Sequence, residues 1–166
     1  MPESTNAVGH TMQIGELLSL DRVVDNADVT SKKRTLELLG QLLGSEETGL
    51  SADEVFDTLL ARERLGSTGL GAGVAIPHGR MKGIGRAVGA FVKLHEGIDF
   101  DAPDKHPVDL LFALIVPEEC TDAHLDILAQ LARLFRDADT VAQLRQCTDS
   151  ETLYRALTEW SARHAA

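Results

Sequence analysis

The run Val108-Asp109-Leu110-Leu111-Phe112-Ala113-Leu114-Ile115-Val116 is almost wholly apolar, and no other stretch limits the fold so tightly. A strand with one wet face would alternate polar and apolar residues; this one does not. It predicts a central strand buried on both faces, stopped by Pro117. Such a strand needs cover on two sides, and the flanking sequence offers helices to supply it.

The first clear helix has Thr30 or Ser31 as its cap. Its apolar positions Leu36, Leu39, Leu42 and Leu43 share a face, and Gly44 terminates it. A second begins at Ser51, where Glu54 three residues on closes a capping box. Val55, Phe56, Leu59 and Leu60 form its stripe, and Gly66 ends it. A third follows Thr121 as cap, with Leu125, Leu128, Leu131 and Phe135 inward. Residues 139–146 and 150–160 read as two more, the last facing inward through Leu153, Leu157 and Trp160. Strands are expected at 22–24, 87–94 and 108–116. Helices and strands interleave throughout, so the chain reads as an α/β fold, one sheet with helices on both faces.

At 166 residues there is room for one domain with a sizeable core. The formal net charge of −10 confers solubility and argues against a nucleic-acid partner, whose phosphates need a basic face. It also suits a basic protein partner. Cys120 and Cys147 lack metal-ligand or redox spacing, which fits a reducing compartment. Residues 1–13 form a loose polar tail with no positive start and no apolar core, so they do not read as a secretory signal. No apolar stretch is long enough to cross a bilayer. The expected location is the cytoplasm.

From Gly66 to Gly85 the composition changes. Seven glycines fall in this window, and a long glycine-rich segment of this kind is expected at the surface, carrying function. At its centre lies Val74-Ala75-Ile76-Pro77-His78-Gly79-Arg80. Pro77 should stop the strand, and Gly79 should let the backbone turn away, leaving the His78 imidazole presented at a strand mouth. Histidine is a competent nucleophile, and its neutral form is well populated near neutral pH.

Two further features point the same way. His124 lies three residues after Thr121, in a first helical turn where free N–H groups and the positive dipole end attract anions. That dipole favours the neutral ring, able to donate to a phosphoryl oxygen. The cations Arg62, Arg64, Arg80 and Lys82 bracket the glycine-rich segment, and an arginine fork matches phosphoryl oxygens. Arg64 and Lys82 read as ordinary solvated charges. Phosphoryl transfer asks mainly for positioning and charge neutralisation, which these groups supply. Gly69-x-Gly71-x-Gly73 has neither the spacing of a dinucleotide fingerprint nor that of a Walker loop. A zinc site on His78 and His124 lacks a third ligand. No cofactor and no metal are expected.

The segment Arg62-Glu63-Arg64-Leu65-Gly66-Ser67-Thr68-Gly69-Leu70-Gly71, running into Ile76-Pro77-His78-Gly79-Arg80, resembles the signature of phosphotransferase-system enzyme IIA domains of the mannitol/fructose type. Within that family it is most similar to the nitrogen-regulatory members. Supporting pieces are Phe100-Asp101-Ala102-Pro103-Asp104, Pro107–Phe112 and Thr121–Leu125. The likeness spans residues 14–160, with 161–166 left as a C-terminal tail.

The resemblance implies a mixed, mostly parallel sheet and a single domain. It implies that His78 accepts a phosphoryl group from a small histidine phosphocarrier protein of the HPr or NPr kind. His124 is then the second active-site histidine and Arg62 part of the same site, with Ser67, Thr68, Gly79 and Arg80 supporting phosphate or loop. Group transfer through phosphohistidine would proceed without small-molecule turnover by the chain alone. Ala72 stands where many relatives carry Asn, and Arg80 where some carry Lys. Three readings are open: a phosphoryl-accepting regulator, favoured because the chain has no room for a fused transporter domain; a component of a fructose- or mannitol-type sugar transporter; or an interaction module that no longer accepts phosphate.

Overall fold

The structure, a computed structural model, describes residues 12–119 and 122–164, with the backbone alone at 123 and 124. Its elements are helix α1 (Ile14–Leu17), a 3₁₀ turn (Leu20–Arg22), strand β1 (Val23–Ala27), helices α2 (Lys32–Leu43) and α3 (Ala52–Leu65), and strands β2 (Gly69–Gly71), β3 (Val74–Ala75), β4 (His78–Met81), β5 (Val88–Ile98) and β6 (Val108–Pro117). Helices α4 (Asp122–Arg136), α5 (Ala138–Gln146) and α6 (Ser150–Arg163) complete it.

The apolar run is β6, and it lies inside a six-stranded sheet of order β1-β5-β6-β3-β2, with β4 also paired to β6. The β1/β5, β3/β6 and β4/β6 pairs are parallel, whereas β5/β6 and β2/β3 are antiparallel. Alternation along β6 sends Leu110, Phe112, Leu114 and Val116 to one core, shared with α1, α4, α5 and α6. Leu111, Ala113 and Ile115 go to the other, shared with α2 and α3. Helices therefore cover both faces, as a strand without a polar side requires.

Local signals place the helices well. Ser31 Oγ accepts from Arg34 N at 3.1 Å and Ser51 Oγ from Glu54 N at 3.4 Å, each satisfying an otherwise orphaned first-turn donor. Helices α5 and α6 are capped by Asp137 and Asp149. The expected cap Thr121, and Cys120, lie outside the described residues. Along α4, Ile127, Leu131, Leu134 and Phe135 are buried while Leu125 stays 57% exposed, so the inward stripe is rotated from the expected one. Helix α6 runs past Trp160 to Arg163. Its last turn is held because Ser161 is buried and its Oγ accepts from Gly15 N at 3.4 Å.

Long-range pairing lengthens the strands beyond their apolar signals. β1 reaches Ala27 because Ala27 pairs with Leu94 past an irregularity, and β5 reaches Ile98, which faces Val108. The glycine-rich segment is likewise not a simple surface loop but three short strands. Between β2 and β3, Ala72 and Gly73 make a two-residue turn with φ of 57° and 83°, both positive as a twist-matched hairpin needs. Ala72 N donates to Asp104 Oδ2 at 2.9 Å, and Arg145 Nη2 reaches the Ala72 carbonyl at 2.7 Å while binding Asp109 at 2.8 Å. The backbone N–H groups of His106 and then Ala72 hold the Asp104 carboxyl below its ordinary range.

β3 does end before Pro77, but pairing with β6 resumes in the same register beyond it, so the proline interrupts the strand without ending it. Val74 faces Leu110 before it and His78 faces Leu114 after it, the same offset on both sides, and the Pro77 carbonyl accepts from Leu114 N at 2.9 Å. Gly79 does not turn the chain away either. It pairs with Ile115 inside β4, and a Cβ there would sit 2.5 Å from Thr58 Cγ2 on α3. Its missing side chain is what lets α3 lie against the strand.

Two outcomes are expected from this packing. Ala72→Asn, which accepts the left-handed conformation more readily than Ala, should raise stability by about 1 kcal/mol and the thermal midpoint by about 2–4 °C. Gly79→Ala should cost about 1–3 kcal/mol by overpacking, read from urea unfolding, and Thr58→Ser in the same chain should recover most of that loss. A Gly79→Ala protein as stable as the parent would contradict the close approach.

Candidate functional site

Alternation decides what each residue of the β3–β4 stretch sees. Val74 and Ile76 point into the α4-side core; His78, two residues on, shares that face. There the core gives out, and the imidazole is half-buried. Gly79 faces α3 instead, and Arg80 is exposed at the rim. The sequence therefore folds so that the histidine arrives where a sheet face opens between two helix ends.

The opening is a cleft of about 460 Å³. Thr58, Ala61, Arg62 and Leu65 of α3 line one wall, with Leu125 and Leu128 of α4 opposite. His78, Gly79 and Arg80 of β4 and Leu114 and Val116 of β6 form its floor. Two leucines on the rim are conspicuously bare: Leu65 is 85% exposed and Leu125 57%. Such exposed apolar side chains beside a cleft exceed what a monomer's surface needs for its own packing.

Within the cleft the imidazole is oriented by its own strand. His78 Nδ1 lies 2.8 Å from the Ile76 carbonyl oxygen. A carbonyl only accepts, so Nδ1 carries the proton and donates, which leaves Nε2 with its lone pair. Arg62 is tied to the loop after α3 through Nη1 donating to the Gly66 carbonyl at 2.8 Å, and it keeps further N–H groups for an anion. Gly66, at φ 153°, ends the helix and lets that loop fold back.

Of the sequence-derived candidates, His78, Arg62, Gly79 and Arg80 meet in this one cleft. Ser67 and Thr68 do not line it. Ser67 Oγ donates to the Phe100 carbonyl at 3.0 Å and accepts from Gly69 N at 3.1 Å, and Thr68 bonds to Glu63 through both its backbone N–H (3.2 Å) and its hydroxyl. They shape the loop behind the site. The backbone of His124 belongs to the first turn of α4; its side chain lies outside the described residues. Ala72 occupies the hairpin turn, away from the cleft lining. Lys82 pairs at the surface with Glu118 at 4.0 Å.

Glu63 is the residue that motif reading passes over. Its side chain is 2% exposed and also pairs with Lys32 Nζ at 3.2 Å. A signal is there to find it: Glu63 continues the four-residue spacing of Val55 and Leu59, so α3 carries a carboxylate onto its buried stripe, where it must have partners. Among the described residues no cluster of His, Cys, Asp or Glu is arranged to hold a metal ion, and no helix is long and apolar enough to cross a membrane.

Comparison with known proteins covers nearly the whole described fold. The family model described as "Phosphoenolpyruvate-dependent sugar phosphotransferase system, EIIA 2" matches residues 16–160. A nitrogen regulatory protein of Klebsiella oxytoca is 41% identical over 156 residues, covering 93% of this chain and 96% of that protein. One from Pseudomonas aeruginosa is 40% identical over 148 residues, 89% of this chain and 96% of its own length. The crystal structure of nitrogen regulatory protein IIA-Ntr from Neisseria meningitidis superposes with a TM-score of 0.82 at 47% identity, covering 87% of this chain and 98% of that one. With the family model spanning nearly the whole described fold, the chain belongs to the EIIA 2 family of the phosphoenolpyruvate-dependent sugar phosphotransferase system.

Proposed function

We propose that this chain is a phosphoryl-accepting regulator of a nitrogen-type phosphotransferase relay in the cytoplasm, loaded on His78 by a small histidine phosphocarrier protein of the HPr or NPr kind. The Nε2 lone pair attacks phosphorus of the donor's phosphohistidine. The new N–P bond forms as the donor's N–P bond breaks, and the released electron pair stays on the donor imidazole. The observation that carries this reading is the Nδ1–Ile76 bond at 2.8 Å: it fixes the tautomer that exposes Nε2 and stabilises the ring as phosphorylation makes it more positive.

Arg62 neutralises charge spread over the transferring group, and Arg80 at the rim adds a second cation. The apolar walls exclude water, which protects the phosphohistidine from hydrolysis. Leu65 and Leu125 receive apolar groups of the donor around its histidine. Phosphorylation then adds about two negative charges beside an apolar rim, changing which partner surface fits. Regulation rather than sugar uptake is favoured by the names of the relatives near 40% identity, which are nitrogen regulatory proteins. A module that no longer accepts phosphate is disfavoured, since the departure at Ala72 falls in the hairpin turn and not in the cleft.

Incubation with a phosphorylated phosphocarrier, followed by mass spectrometry at mildly alkaline pH, should add one phosphoryl group to the wild type. His78→Ala should gain none; equal labelling of that variant would sink the assignment. Arg62→Ala should still be labelled, but with a rate reduced about a hundredfold. Transfer from the phosphorylated protein to a sugar, in the presence of sugar-specific transporter domains, would overturn the regulatory reading in favour of the transport one.

A further inference from the structure

The groups that orient the cleft converge on one carboxylate outside it. Glu63 is buried behind the site, accepts from the Thr68 backbone N–H at 3.2 Å and from the Thr68 hydroxyl, and forms an ion pair with Lys32 Nζ at 3.2 Å. Thr68 is then fixed at both its amide and its side chain. Its carbonyl accepts from Ile76 N at 3.1 Å, and the carbonyl of that same Ile76 accepts from His78 Nδ1 at 2.8 Å. The chain of contacts runs Glu63, Thr68, Ile76, His78, with no gap.

The same loop reaches the arginine. The segment between Glu63 and Thr68 is closed at both ends by the carboxylate, and inside it the Gly66 carbonyl takes the Arg62 Nη1 donor at 2.8 Å. Lys32 holds Glu63 from the other side and continues to the Phe100 carbonyl at 3.3 Å, to which Ser67 Oγ also donates at 3.0 Å. With both carboxylate oxygens occupied and its charge paired, Glu63 has one arrangement open to it.

We infer that Glu63 is the positioning residue of the site: through Thr68 and Ile76 it holds the His78 ring in its Nδ1–H tautomer, and through the Gly66 loop it places Arg62. It touches no reacting atom. This inference rests on His78 as the phosphoryl acceptor for its consequence on rate, but not for its consequence on the tautomer. Loosening the clamp lets the Ile76 peptide shift, weakens the acceptor for Nδ1–H, and lets the ring sample the Nε2–H form, in which the attacking nitrogen has no lone pair.

The test is long-range ¹H–¹⁵N NMR of histidine-labelled full-length protein at a pH where the ring is neutral, combined with transfer rates from a phosphorylated phosphocarrier. The wild-type His78 should be mainly Nδ1–H. Thr68→Val, which replaces the hydroxyl by a methyl of similar size, and Glu63→Gln should both shift the population toward Nε2–H and slow phosphorylation about tenfold or more, as a misplaced nucleophile does. Thr68→Ser should restore both signals. Should Glu63→Gln fail to fold, Thr68→Val carries the test. A Thr68→Val protein with wild-type amide dispersion, an unchanged His78 tautomer and an unchanged rate would overturn the inference, as would a wild type already in the Nε2–H form. If the wild type accepts no phosphoryl group at all, the proposed function fails while the tautomer measurement still decides this point.

Discussion

The register of one interrupted strand governs the site. β3 and β4 lie along β6 with the same offset before and after Pro77, so the proline costs a ladder donor without displacing the residues beyond it. Strand alternation then does the rest. It carries His78 to the face where Val74 and Ile76 are already buried, and Gly79 to the face under α3. A slip by a single residue would exchange their faces and force the imidazole into the close approach of α3 that only Gly79 permits. The His78 imidazole is placed by the sheet, and the sheet is specified by a strand whose two faces are both core.

The chain handles its buried charges in a consistent manner. Arg22, 4% exposed, gives Nε to the Gly89 carbonyl at 3.0 Å, Nη2 to the Leu17 carbonyl at 3.0 Å, and pairs with Glu47 at 2.6 Å. Lys93 pairs with Asp25 at 3.3 Å and caps the end of α5 by donating to the carbonyls of Leu144 and Arg145 at 3.0 and 3.2 Å. Glu63 and Lys32 form the third such centre. Each joins segments distant in sequence through backbone carbonyls or amides. Pairing a buried charge adds little to stability by itself, but leaving one unpaired would be costly. The effect of these pairs here is to fix where loops meet the sheet.

The features legible in the sequence are local ones. The helix caps at Ser31 and Ser51, the stripes on α2 and α3, the buried strand β6 and the singular setting of His78 are all short-range patterns, and the covered sheet is their consequence. The features that escape such a reading are non-local. Pro77 looks like a terminator until β6 is there to resume pairing beyond it. Gly79 looks like a turn until α3 is found against it. Leu125 has the spacing of a core residue but lies at a helix start that overhangs the cleft, so it remains exposed. The strands β1 and β5 outrun their apolar signals because their partners, not their own propensities, set their ends.

The sheet order has a consequence for synthesis on the ribosome. β5, β3 and β4 all find a partner in β6, the last strand among the described residues. Until Val108–Pro117 has left the exit tunnel, β4 has no strand to lie against, and the apolar faces of β3 and β5 lack their shared neighbour. The cleft therefore cannot take shape progressively as its own residues emerge. It forms after His78 has been waiting for some time, and during that interval the nascent chain is at its most exposed to wrong associations.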